Sequence, residues 1–411
     1  MKKMIRMLAC VLALLIALCG ASLAEEKDTA GLLATVNGAD VPIIEALAEY
    51  EYYKEMYTMY GMTHQLEALK EQIADYYIKL ELIYEQFELL GMEADMEAVA
   101  AQAQAEYESV IESYTAYVSK DGLTEPQIRE VAEEMLIQDG YDIAYFNRFF
   151  FNNMRLAAVY EHYTGGIEAT EEDVRAYYDD LVASDRELYE GNFAYYEQAE
   201  NYGERIMYIP EGIRRVKHIL VLLGAEDQAA MPGLEAELAS VEAALAAEGA
   251  DTEKLTAEKA ELEAQINAIY ATIEPKAQEI LDKLTAGEDF IALLEEYGED
   301  PGMKSEPYVT EGYSVHADSA QWVTAFRDGA MALEKPGDVS QPIRTSYGLH
   351  IIRYESDVVP GPVDFDMVRE ELHAEVYEEK TSAYYDELIN QWVEAAEITV
   401  YLENFDAMTG E

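Results

Sequence analysis

The chain has 411 residues, enough for two or three domains and a sizeable core. Half of these residues are hydrophobic, which excludes disorder as the default state. The formal net charge of −55 excludes the basic footprint that a nucleic-acid partner requires, and an anionic membrane surface would repel it. Such acidity gives a solvated, soluble surface; it also suits a chaperone for basic clients or a secreted protein working near cations.

The first 24 residues read as an export signal. Lys2, Lys3 and Arg6 form a positive start, and Met7 to Ala21 is an apolar run too short for a membrane span. Ser22-Leu23-Ala24 offers small residues at the right places for cleavage after Ala24. The protein is therefore expected to be extracytoplasmic, at the cell surface or secreted. Both cysteines, Cys10 and Cys19, lie in this signal, so the cleaved chain would have no disulfide framework. Lipidation at Cys19 is the secondary reading, because Leu18 stands where a lipobox needs a small residue.

Gly31 to Ile44 predicts a strand, an Asn-Gly turn and a second short strand. Leu66 to Leu90 follows with Leu69, Ile73, Tyr76, Tyr77, Leu80, Ile83, Tyr84 and Phe87 at helical spacing. Further helices are expected over Met96 to Val118, after the capping box at Thr124 to Gln127, over Tyr141 to Tyr163, and after the cap at Thr170. Residues 185–210 read as a short helix and a linker. The chain's 32 tyrosines concentrate in this half. They serve either helix packing or an adaptable surface for unfolded segments.

Arg214 to Leu222 is an apolar strand carrying His218, flanked on its own face by Val216 and Leu220. Residues 225–273 then predict an antiparallel helical hairpin. Leu234, Leu238, Val241 and Leu245 form one side of a coiled-coil-like seam, and Leu255, Leu262, Ile266, Ile269 and Ile273 the other. This hairpin should project as an arm or act as a spacer. Farther on, Val339 to Thr345 can form a strand, and Leu349 to Tyr354 a second one carrying His350. A lone His among apolar residues is usually a satisfied core residue. Two of them in two similar strands suggest one sheet with the rings side by side. Asp364 to Ala396 predicts a last amphipathic helix with Val368, Leu372, Val376, Tyr384, Leu388 and Trp392 on its stripe, and Ile398 to Leu402 a closing strand.

The two His strands and the segments between them resemble the parvulin-type peptidyl-prolyl cis/trans isomerases. The matching segments are Val216 to Val221, Gly287 to Phe290, Leu293 to Asp300, Phe326 to Leu333, and Gly348 to Ile352. The opening Ala34-Thr35-Val36-Asn37-Gly38 is similar to that of exported PrsA/SurA-like foldases. The resemblance implies an α+β fold: a mostly helical chaperone domain made from both chain ends, with an inserted parvulin-like β-α-β domain. The boundaries it implies are a signal peptide at 1–24, the helical domain at 25–212, the isomerase domain at 213–356 with the hairpin insertion at 225–273, and a returning helix and strand at 357–411.

The resemblance also implies the site. His218 and His350 would be the paired histidines of its floor, Thr345 their hydrogen-bond partner, and Asp300 the acidic group beside the substrate amide. Phe326, Trp322 and Met331 would line the proline pocket. Asp300 also fits an ordinary Asp-Pro-Gly turn, and Phe326 and Met331 plain core. Lys304 to Val315 departs from the family's glycine-rich stretch, keeping only the spacing and Gly312, with Tyr313 or Val315 as the replacement for its missing Leu. The chemistry needs no cofactor and no metal. The six histidines are scattered without metal-ligand spacing, and no phosphate-binding loop or nucleophile elbow is present. The expected partners are unfolded or newly exported polypeptides with X–Pro bonds, with homodimerisation through the helical part left open. A holdase without catalysis is the rival reading, and a scaffold built on the hairpin the third.

Overall fold

The computed structural model describes residue 29 and residues 31–118, 122–247 and 251–409. The expected export signal, its two cysteines and the cleavage point after Ala24 lie outside the described residues. Among the described residues no helix is long and apolar enough to cross a membrane. The fold divides into two compact units. One comprises residues up to Glu168 together with Tyr377 onward, and the other Ala169–Val376.

The outer unit opens with β1 (Leu32–Val36) and β2 (Ala39–Pro42), paired as a tight hairpin. Asn37 and Gly38 both have positive φ, as this two-residue turn demands. Five helices follow: α1 (Ile44–Met59), α2 (Leu66–Leu89), α3 (Met96–Tyr114), α4 (Glu125–Gln138) and α5 (Ile143–Thr164). A reciprocal capping box between Thr124 and Gln127 starts α4, with Pro126 in its first turn. The buried stripe of α2 runs through Ile78 and Leu82 as well as Leu69, Ile73, Ile83 and Phe87. Tyr76, expected on that stripe, is exposed. The aliphatic side chains take the interior and leave the phenol in water.

The inner unit starts with α6 (Glu171–Gly191), capped by Thr170 and Asp173, and α7 (Phe193–Tyr202). Helix therefore covers most of the segment read as a short helix and a linker. Nothing breaks α6 before Gly191, and Asn192 both ends α6 and caps α7 through its side chain. Then come β3 (Tyr208–Ile209), β4 (Arg214–Leu222), α8 (Ala225–Leu245), α9 (Thr252–Tyr270), α10 (Glu274–Thr285) and α11 (Phe290–Tyr297). The unit continues with α12 (Tyr308–Glu311), β5 (Tyr313–Val315), α13 (Thr324–Met331), β6 (Ile343–Thr345), β7 (Gly348–Asp357) and β8 (Gly361–Pro362).

The main sheet has the order β5-β4-β7-β6 and is antiparallel throughout. Its two central strands pair over their full length and carry the core residues Val216, Ile219, Val221, Leu349, Ile351 and Ile352. β6 is shorter than the expected Val339–Thr345. Pro342 has no N–H for a ladder, and Val339 makes only an isolated bridge to Arg353. The hairpin α8–α9 forms as expected, with a half-buried seam and an ion pair between Glu242 and Lys259 across it. Its root is no mere attachment point: Met231 and Tyr270 are buried in the core of the unit.

Helix α14 (Phe365–Ala395) contributes its first residues to the inner unit and the rest to the outer one. Its stripe steps by five residues from Val376 to Thr381, so Tyr385 turns inward against Tyr160 and the expected Tyr384 is exposed. β9 (Ile398–Val400) then pairs antiparallel with β1, giving a sheet of order β2-β1-β9, and α15 (Glu403–Thr409) closes the outer unit.

Candidate active site

The register of β4 against β7 sets His218 opposite Ile352 and Leu220 opposite His350. The two histidines therefore occupy diagonal positions on one face of the sheet. Their rings lie nearly parallel, with centroids 5.1 Å apart, and their Nδ1 atoms are 2.9 Å apart. Both side chains are buried.

The other nitrogen of each ring meets an oxygen. Thr345 ends β6, and its Oγ1 is 2.7 Å from His350 Nε2 while also accepting from the backbone N–H of Tyr347. Asp300 Oδ2 is 2.7 Å from His218 Nε2. Asp300 lies in the connection after α11, where β4 has a free edge because β5 pairs only with Arg214–Val216. The N–H of Glu299 donates to the carbonyl of Leu220, and the N–H of Leu222 donates to the Glu299 carboxylate. The turn reading of Asp300 also holds: its Oδ1 accepts from the N–H of Gly302 at 2.9 Å. One oxygen shapes the loop and the other faces His218.

Proton positions follow from this geometry. With both rings neutral, Thr345 donates to His350 Nε2, His350 Nδ1–H donates to His218 Nδ1, and His218 Nε2–H donates to the carboxylate. Burial holds the His350 imidazole down at about 3, helped by His218 and opposed by Asp300. Burial alone would raise Asp300, but the hydrogen bond and charge of His218, the Tyr313 phenol and the Gly302 N–H outweigh it and hold the carboxyl at about 2. Asp300 is thus an anion at neutral pH, and His350 a neutral ring.

An aromatic wall stands beside this polar chain. Phe326 on α13 presents an edge-to-face contact to both His218 and His350, with centroids 5.1 and 5.2 Å away. Trp322 lies 5.3 Å from Phe326 and 4.7 Å from Tyr313, and its indole N–H donates to the Ser314 carbonyl. The phenol of Tyr313 donates to Asp300 Oδ2 at 2.9 Å, and burial beside that carboxylate pushes its own ionisation up. Val315 shares the strand face of Tyr313 one step farther along β5 and is fully buried, but Tyr313 is the residue that reaches Asp300. Met331 is half-buried at the end of α13, where its carbonyl accepts from Arg214. The sequence reading missed Tyr308, which packs on Tyr313, and Tyr270, whose phenol donates to the Thr345 carbonyl. For Tyr270 a signal was available: a tyrosine embedded in the seam between Ile266, Ile269 and Ile273. Among the described residues no group of three or more His, Cys, Asp or Glu side chains is arranged to hold a metal ion.

The site is thus a four-stranded antiparallel sheet with two facing histidines, flanked by helices and an aromatic wall. Residues 255–356 match the family described as Rotamase, the PPIC-type PPIase domain. That match starts inside α9, so the strand bearing His218 lies upstream of it, separated by the hairpin. The curated relatives that the chain matches include foldases named PrsA. The chain is 30% identical over 156 residues to "Foldase protein PrsA 3" of Bacillus anthracis, covering 38% of this chain and 53% of that protein. It is 31% identical over 139 residues to "Foldase protein PrsA" of Clostridium botulinum, covering 34% and 40%. The chain thus spans about half the length, or less, of these curated relatives. Among solved structures, one described with PEB4 and Cj1289, SurA-like chaperones of Campylobacter jejuni, matches with a TM-score of 0.32 and 17% identity over 72% of this chain and 95% of that one. The Bacillus cereus PrsA structure matches with a TM-score of 0.22 and 17% identity over 93% and 100%.

Proposed function

We propose that this protein is an exported foldase that catalyses cis/trans isomerisation of X–Pro bonds in unfolded or newly exported polypeptides and also holds those polypeptides. In this reading the isomerase domain is residues 213–356, and the helical residues 25–212 with the returning segment 357–411 are the chaperone part. The carrying observation is the chain Thr345–His350–His218–Asp300 lying against Phe326. Amide resonance sets a barrier of roughly 18–20 kcal/mol, and a catalyst must favour the twisted amide over both planar forms. Phe326 and Trp322 offer an apolar wall for the proline ring. Twisting removes the resonance form with negative charge on the carbonyl oxygen. An anionic Asp300 beside that oxygen therefore penalises the planar amide more than the twisted one. His218 fixes the carboxylate with a directed hydrogen bond, His350 and Thr345 orient His218 in turn, and none of them needs to exchange protons.

The test is isomerisation of X–Pro tetrapeptides by the chain cleaved after Ala24. Asp300→Ala is expected to lower kcat/KM about a hundredfold with the fold intact, and His350→Ala to act in the same direction. No catalysis by the unaltered chain on any peptide would overturn the reading.

One observation favours a holdase instead. Tyr313 already occupies Asp300 Oδ2 and is covered by Tyr308, which crowds the carboxylate on the side formed by Lys304 to Val315. Suppressed aggregation of an unfolded client without isomerisation would support that alternative. The paired helices also suit a homodimer, which light scattering of the cleaved chain tests.

A further inference from the structure

The helical hairpin between β4 and α10 meets the candidate site at its root. Tyr270, the last residue of α9, is buried, and its phenol donates to the backbone carbonyl of Thr345 at 2.9 Å. Arg344, the residue before Thr345, is held from the same root. It donates to Asn267 at 2.6 Å and to Glu274 at 2.7 Å, and its guanidinium lies 4.6 Å from the centre of the Tyr270 ring. Two consecutive residues of β6 are thus fixed by the end of α9 and the start of α10. The opposite end of the polar chain is tied as well. Lys276, two residues beyond Glu274, pairs with Glu299 at 2.9 Å. Glu299 also accepts from the N–H of Leu222 and directly precedes Asp300. The root therefore holds the Thr345 carbonyl and the side chains of Arg344 and Glu299, the residues that directly precede Thr345 and Asp300.

We propose that the hairpin root is a brace for the Thr345–His350–His218–Asp300 chain, with Tyr270 the positioning residue for Thr345 and Lys276 the positioning residue for the Asp300 turn. This deepens the isomerase reading and rests on it. A brace of this kind predicts that the insertion is part of the isomerase domain's working structure, not a passenger. Fixing Thr345 fixes the direction of its hydroxyl, and through it the tautomer of His350. Burial raises the Tyr270 phenol to about 12, so it remains a donor throughout the neutral range.

The experiment compares the unaltered full chain with Tyr270→Phe and with Lys259→Ala, a control in the exposed part of the same hairpin. It reads kcat and KM on X–Pro peptides and the ¹⁵N resonances of the His350 ring. Loss of one buried hydrogen bond is expected to lower kcat about fivefold with KM within about a factor of two. The His350 Nε2 resonance is expected to shift at the same time, while Lys259→Ala changes neither. Tyr270→Phe with unchanged kcat and an unmoved His350 resonance overturns the brace. If Tyr270→Phe does not fold, Arg344→Lys, at a more exposed position, carries the same expectation and the same refutation. An unaltered chain without isomerase activity refutes the isomerase reading alone, and the His350 resonances of the variants then still decide the brace.

Discussion

His218 and His350 meet through their Nδ1 atoms, 2.9 Å apart, although neither is the other's direct cross-strand partner. The diagonal placement lets the two rings lie within 16° of parallel, with each Nε2 turned outward. One outward nitrogen then takes Thr345 and the other Asp300. With the rings directly opposite, the two outward nitrogens would not be free to reach opposite ends of the site. The register of two strands therefore determines that the polar chain has two ends.

The chain should make the inner unit acid-sensitive. His350 is held at about 3 against an ordinary 6.5, and Asp300 at about 2 against 3.8. Between pH 6.5 and 3 the unfolded chain binds a proton at His350 that the folded chain does not. The stabilising contribution is thus complete above pH 6.5 and declines as pH falls, by at most about 1.4 kcal/mol per pH unit for one proton. Asp300 adds a further loss between pH 3.8 and 2. The urea midpoint of the inner unit, followed against pH, is expected to fall through the upper window in the unaltered chain. His350→Phe should flatten that part of the profile. An identical slope in the variant would place the proton uptake on other groups.

Much of this site could be read from residue order, because strands of similar apolar composition surround each histidine. His218, Asp300, Thr345, His350, Phe326, Trp322 and Tyr313, all singled out in the sequence, come together from segments far apart in the chain. The diagonal offset of the histidines was not readable, since it depends on strand register and not on which face a residue occupies. The seam position of Tyr270 was readable, but its partner and that of Lys276 were not. Their partners lie 75 and 23 residues away, and no local pattern distinguishes a seam tyrosine from one that caps a distant carbonyl. On α14 the expected Tyr384 and the observed Tyr385 differ by one residue, because the helix serves two cores and its stripe steps between them.

Gly312 should be close to irreplaceable. It has φ 84° and ψ 173°, a region open essentially to glycine alone. A Cβ there would lie 2.6 Å from the carbonyl oxygen of Val216, in the backbone of β4. Neither the strain nor the close approach can be relieved by a side-chain rotation. Gly312→Ala is expected to destabilise the inner unit by about 3 kcal/mol. Urea unfolding followed by a probe in that unit checks it, and a change below about 1 kcal/mol would contradict the geometry.

The C-terminal residues should stabilise the start of the chain. Phe405 is fully buried and lies 5.1 Å from Tyr50 on α1. Its neighbour Asn404 donates to the carbonyls of Thr29 and Leu32, and Asp406 pairs with the buried Lys70 at 2.5 Å. Phe405→Ala leaves a ring-sized cavity and is expected to cost about 3–5 kcal/mol. Hydrogen exchange should show the loss of protection in β1 as well as in α15. Loss confined to α15 would mean that the two ends of the chain fold independently.

Trp322 offers a direct view of the proposed proline pocket. The chain has two tryptophans, and the other, Trp392, packs in the outer unit against Tyr163. Trp392→Phe leaves Trp322 as the single indole, 5.3 Å from Phe326 and 4.7 Å from Tyr313. A proline ring seated on Phe326 would change the polarity around that indole, so titration with an X–Pro peptide should change its emission. Adding Phe326→Ala should weaken the titration about tenfold, equivalent to about 1.4 kcal/mol of lost contact. Adding Asp300→Ala should leave the titration nearly intact while catalysis is lost, because Asp300 acts on the twisting amide and not on the ring. An emission change that survives Phe326→Ala unaltered would put the bound proline elsewhere on the inner unit.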